Sequence, residues 1–170
     1  MKIKKIITII LIIAWMTLVF YLSNQISDES SKLSGGITRA ILNFFNILEG
    51  KTLEQQSAIE TIIRKLAHYS IYALGGILIL LHVNLYKIKT NKKVIISWLI
   101  GTGYAITDEI HQLFVPGRSG EIRDVCIDSL GVITGIIIFL IILICMERRP
   151  RHSEKGEKDK NWKKYYLQQQ

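Results

Sequence analysis

The sequence predicts an all-α, polytopic membrane protein. Four transmembrane helices are expected over about residues 6–22, 66–86, 94–109 and 124–146, with an outer amphipathic segment between the first two and a charged tail over 147–170. Two observations predict it. Hydrophobic residues make up 49% of the chain and are gathered into blocks. Ile6–Leu22, Val94–Thr107 and Ser129–Met146 contain no charged residue, and Leu66–Tyr86 carries only histidines and one asparagine as strongly polar groups. A helix needs about 20 residues to cross about 30 Å of hydrocarbon. Three blocks approach that length as they stand, whereas Val94–Thr107 reaches it only by drawing in residues beyond Asp108. The second observation is the lack of a polar face. Ile6–Leu22 and Ser129–Met146 are apolar nearly all round, which a soluble bundle does not tolerate.

The first block follows Lys2, Lys4 and Lys5. It reads as a retained helix rather than a signal peptide, because its apolar run is long and Ser23-Asn24-Gln25 gives no small-x-small cleavage site. In the next segment Ile37, Ala40, Ile41, Phe44, Phe45 and Leu48 recur at helical spacing, as in a helix lying in the interface or packed on the bundle. Thr52-Leu53-Glu54-Gln55 matches a capping box. No Gly or Pro follows before Gly75, so the helix is expected to run unbroken into the second span. Pro116-Gly117 reads as the turn between the third and fourth helices. Cys126 and Cys145 fall in one helix, 19 residues apart. That separates them by nearly 30 Å at about 1.5 Å per residue, so they cannot bridge each other.

Four spans put both termini on one side with the Lys87–Lys93 loop. That side holds 15 of the 22 Lys and Arg and 4 acidic residues; the other holds 7 basic and 10 acidic residues. The positive-inside rule makes the richer side cytoplasmic. The excess positive charge then reflects topology and attraction to anionic lipid; no motif supports nucleic-acid binding.

Ionisable residues gather near the opposite ends of three helices. Arg64, His68 and Tyr72 share a stripe with Gly75; Tyr104 and Asp108 share one with His111 or Gln112; Asp124 and Asp128 share one with Gly131 and Gly135. Charge at mid-bilayer costs about 2.5–3.5 kcal/mol per group on insertion scales, so such residues are expected to face one another. Gly131 and Gly135 form a GxxxG that lets the fourth helix approach a neighbour closely. Three roles fit. Arg64, Lys65, Arg118 and Arg123 can balance Asp108, Glu109, Asp124 and Asp128 in a structural network. The set Arg64, Lys65, His68, Tyr72, Asp108, Glu109, His111, Gln112, Arg118, Asp124 and Asp128 can bind an anionic or sugar-bearing lipid headgroup. His68 or His111, oriented by Asp108 or Asp124, can act as a base. No cofactor is expected and no metal site is assigned, since His68 and His111 with two aspartates lack an HExxH or CxxC spacing.

At two stretches the chain resembles the VanZ-like membrane protein family, named for an accessory protein of glycopeptide-resistance clusters that lowers susceptibility to teicoplanin. One is Arg64-Lys65-Leu66-Ala67-His68 with Tyr72 and Leu74-Gly75. The other runs from Asp108-Glu109-Ile110-His111-Gln112-Leu113-Phe114-Val115-Pro116-Gly117-Arg118 to Asp124 and Gly131. Asp128 departs from the pattern, which leads one to expect asparagine. The resemblance implies a bacterial plasma-membrane protein with a role at the cell envelope, and supplies no reaction; an envelope lipid or lipoglycopeptide is the ligand expected for the polar pocket.

Overall fold

The computed structural model describes residues 2–24, 52–116 and 120–147. They form four helices and no strand: α1 (Lys2–Ser23), α2 (Leu53–Val83), α3 (Thr90–Gln112) and α4 (Ile122–Glu147). The amphipathic stretch around Ile37–Leu48, Arg118 and the tail beyond Glu147 lie outside the described residues. The chain divides into two compact units, Met1–Phe139 and Leu140–Gln170. The first holds all the packing discussed below. The second contains the last turns of α4, with Ile141, Ile142, Ile144 and Met146 exposed.

The capping box is present. The Gln55 amide donates to Thr52 Oγ1 and the Thr52 amide to Gln55 Oε1, 3.4 and 3.1 Å away, so two amides at the helix start are satisfied. From there α2 runs 31 residues without interruption. It ends at Val83, three residues before the expected boundary at 86. Asn84 caps it, and the turn that follows holds the Leu85 and Tyr86 amides on the His82 and Val83 carbonyls.

Three helices, α1, α2 and α4, are long and apolar enough to cross a membrane, where the sequence led us to expect four. The exception is α3. At 23 residues it has the length, but Lys92 and Lys93 in its first turn and Asp108 and Glu109 in its last turns leave only Val94–Thr107 free of charge. The distribution of side chains is nonetheless that of a membrane protein. Isoleucines and leucines of α1, α3 and α4 stand exposed, while Thr8, Ser97, Asp108, Glu109, Gln112 and Asp128 are buried. In water that distribution would be unfavourable; among lipid chains apolar side chains face outward and polar ones turn into the bundle.

The helices run alternately up and down around α2. On one side α1 lies antiparallel to it through a buried stripe of Thr8, Trp15, Val19 and Ser23. Thr8 Oγ1 pairs with His82 Nδ1 at 2.7 Å, and Trp15 Nε1 donates to the Ile71 carbonyl at 2.8 Å. Lys5 sits over the Tyr86 ring at 3.8 Å, a cation–π contact that further fixes this end. The indole of Trp15 lies flush against Gly75, where any Cβ would collide with it. Against α4 the contact is closer still. A Cβ at Gly131 or Gly135 would land on the backbone carbonyls of Tyr69 or Ala73, and one at Gly76 on that of Val132. The GxxxG therefore packs α4 on α2, backbone to backbone. Between α3 and α4, Gly101 admits Val132, and Trp98 Nε1 and Thr102 Oγ1 both meet Ser129 Oγ, at 3.0 and 2.9 Å.

Candidate functional site

Helical spacing brings one ionisable layer to the level where α2 begins to enter the bundle. On α2, Lys65, His68 and Tyr72 recur every three or four residues and so point the same way. Tyr72 is fully buried and its hydroxyl donates to Asp108 Oδ2 of α3 at 3.2 Å. The Lys65 ammonium makes a close ion pair with Asp124 of α4, with the Glu121 carboxylate 3.8 Å away. His68 Nδ1 lies 4.0 Å from Asp128 Oδ2, and the His68 side chain keeps 26% exposure while Asp128 keeps 1%.

Asp128 stands apart in one respect. Among the described residues neither of its oxygens has a hydrogen-bond partner. Asp108 by contrast has Tyr72, and Glu109 accepts the Glu121 amide at 2.8 Å. That last bond closes the α3–α4 connection onto α3. Gly120 is required there, because a Cβ would sit 2.7 Å from the Glu109 carbonyl oxygen. Residues 113–116 begin the connection, with the Phe114 and Val115 amides on the His111 and Gln112 carbonyls; the Pro116-Gly117 turn itself lies partly outside the described residues. One donor atom from each of His68, Asp108 and Asp128 lies within 4.8 Å of the others, a set with the chemistry of metal ligands.

The structure thus joins His68, Tyr72, Asp108 and Asp128 in one cluster, with Lys65 and Asp124 beside it. It leaves others out. Arg64 and Arg123 are exposed, and among the described lysines and arginines of this layer it is Lys65 that pairs with acids. His111 is turned away from the aspartates and stacks on Phe20 of α1, ring centroids 4.6 Å apart. Gln112 is buried with its amide nitrogen unpartnered among the described residues. An aromatic support escaped the sequence reading. Trp15 meets Tyr72 edge-on at 5.8 Å and Tyr104 at 5.1 Å, and Tyr104 donates to the Met16 carbonyl at 2.6 Å. A tryptophan amid isoleucines, seven residues after Thr8, is the signal that pointed to it.

The family model described as VanZ/LLP1 matches residues 8–143. The chain matches no curated protein and no solved structure. The match takes in α2 and α3 whole, most of α1 and α4, and every residue of the cluster. The chain belongs to the VanZ/LLP1 family.

Proposed function

We propose that this protein is a four-span module of the bacterial plasma membrane whose outer end engages the headgroup of an envelope lipid or a lipoglycopeptide, and that it contributes to teicoplanin resistance. One observation carries the proposal: three separate helices deliver ionisable side chains to a single level of an otherwise apolar bundle. Polar residues held among lipid chains commonly mark a ligand path. Exposed Arg64 and Arg123 flank that level and suit an anionic or sugar-bearing group. In this reading α3 also crosses the membrane, as its buried stripe from Ser97 to Gln112 is supported by α2 and α4. The excess of basic residues on the side of the termini supports a cytoplasmic location for both.

The test is susceptibility of a sensitive host to teicoplanin and vancomycin, with and without expression. Protection against teicoplanin alone is expected. His68→Ala, Asp108→Asn, Lys65→Gln and Asp124→Asn are each expected to accumulate normally and to weaken that protection. Four variants that accumulate and protect in full would sink the proposal. Orientation has its own check. With the exposed Cys126 and Cys145 replaced by serine, a cysteine at Phe114, which is 79% exposed, is expected to react with an impermeant maleimide on intact cells. Protection there overturns the orientation.

A second reading is favoured by His68 standing beside Asp128: an acid–base pair of an enzyme that modifies an envelope lipid. It predicts a changed lipid species in extracts of expressing cells, absent with His68→Ala.

A further inference from the structure

We propose that His68, Asp108 and Asp128 bind one divalent cation of the zinc class between α2, α3 and α4. The observation that points to a ligand is Asp128. Its carboxylate is 1% exposed and, among the described residues, accepts no hydrogen bond at either oxygen. His68 Nδ1 at 4.0 Å is beyond hydrogen-bond reach. A buried carboxyl is paired with a cation, bound to a metal, or protonated and donating a hydrogen bond, and Asp128 has no acceptor for that bond among the described residues. Among the described residues the ammonium at this level, on Lys65, is already held by Asp124 with Glu121 beside it.

The geometry suits a single ion. The three donor atoms lie within 4.8 Å of one another. Tetrahedral ligands at about 2.0–2.2 Å from zinc stand about 3.3–3.6 Å apart. Side-chain rotation that draws the donors together by about 1–1.5 Å therefore closes the triad on an ion. One imidazole and two carboxylates match a zinc-type site with three protein ligands and an open position. Two carboxylates and a dication also sum to zero charge, which suits a layer inside an apolar bundle. Tyr72, donating to Asp108 Oδ2, acts as the outer partner that fixes a ligating carboxylate. His68 is the ligand that reaches the surface, with 26% exposure, so the ion enters and the open position faces on that side. The ion site stands on these residues whatever the outer end recognises, so metal titration and the drug-susceptibility comparison fail separately.

The test uses full-length protein purified in detergent without a histidine tag, stripped with chelator, and titrated with Co²⁺ and then Zn²⁺. One equivalent is expected, with visible Co²⁺ absorption that Zn²⁺ displaces and an imidazole in the ion's coordination shell by X-ray absorption. The melting temperature is expected to climb with zinc concentration. Asp128→Asn, which keeps the shape and removes the charge, and His68→Ala are expected to weaken binding at least about 100-fold, and Tyr72→Phe about 10–100-fold. Glu147→Gln, at the last position of α4, is expected to bind as wild type does. Absence of stoichiometric uptake by the wild-type protein overturns the proposal, and so does Asp128→Asn binding as tightly as wild type. The wild-type titration with its imidazole signature decides by itself, so a variant that fails to fold does not rescue or sink the site.

Discussion

Gly135→Leu is expected to leave no folded bundle, and Gly135→Ala to lower stability by about 3 kcal/mol, the upper end of ordinary overpacking. The reason is what a Cβ would strike. At Gly135 it is the backbone carbonyl of Ala73, and at Gly131 that of Tyr69. A side chain in the way can change rotamer, but a carbonyl inside a helix cannot move without moving the helix. Forcing α2 and α4 apart also separates Tyr69 Oη from Thr134 Oγ1, now 2.6 Å away, and pulls Lys65 from Asp124. In lipid there is little hydrophobic drive to bring the helices back, since close packing is itself what holds them. Gly103 supplies the contrast. Nothing lies within 4 Å of a Cβ there, so Gly103→Ala is expected to stabilise by about 0.5–1 kcal/mol through helix propensity alone. Denaturant unfolding in detergent measures both. Equal midpoints for Gly135→Ala and wild type would show that the backbones are not in contact.

The second large effect is expected at Trp15. Trp15→Ala should destabilise by about 3 kcal/mol, the lower end for large aromatic truncations in soluble cores. The transfer part of the usual loss shrinks when the surroundings are lipid, while the cavity and its lost dispersion contacts remain. The indole fills the hollow over Gly75, donates to the Ile71 carbonyl and braces the rings of Tyr72 and Tyr104. Its loss should therefore be felt at Asp108 through Tyr72, although Trp15 touches no charged group of the cluster. Trp15→Phe keeps most of the ring and forfeits the hydrogen bond, so about 1 kcal/mol is expected. If Trp15→Ala unfolds with the wild-type midpoint, α1 is an accessory helix rather than part of the core.

Much of this architecture could be read from the sequence, and the parts that could not share a cause. Hydropathy located all four helices, and the capping box marked the start of α2 because its chemistry is local. The meeting of α2, α3 and α4 followed from the energetic need of Asp108 and Asp128 to avoid lipid. The choice between Arg64 and Lys65 did not follow. Neighbours on a helix differ by about 100°, and the stripe through His68 and Tyr72 admits either until the neighbouring helix is known. Only the position of α4 settles it, turning Lys65 toward Asp124 and leaving Arg64 exposed. His111 followed the same logic: it shares a helix end with Asp108, yet α1 claims it through Phe20. The bond between Trp98 and Ser129 exists because Gly101 lets α4 come near. The composition of α3 resists a simple assignment because its two ends carry charge for different purposes, one basic and one acidic.

The continuity of α2 has a mechanical consequence. Its 31 residues measure about 46 Å, about 16 Å more than the thickness of a bilayer's hydrocarbon. The rod is clamped at several levels: Lys65 is tied to Asp124, and the backbone meets α4 at Tyr69, Ala73 and Gly76. His68 lies between the first two of these holds. The imidazole is therefore carried on the fixed part of the rod, and its distance to Asp128 is set by how closely the glycines let α4 approach.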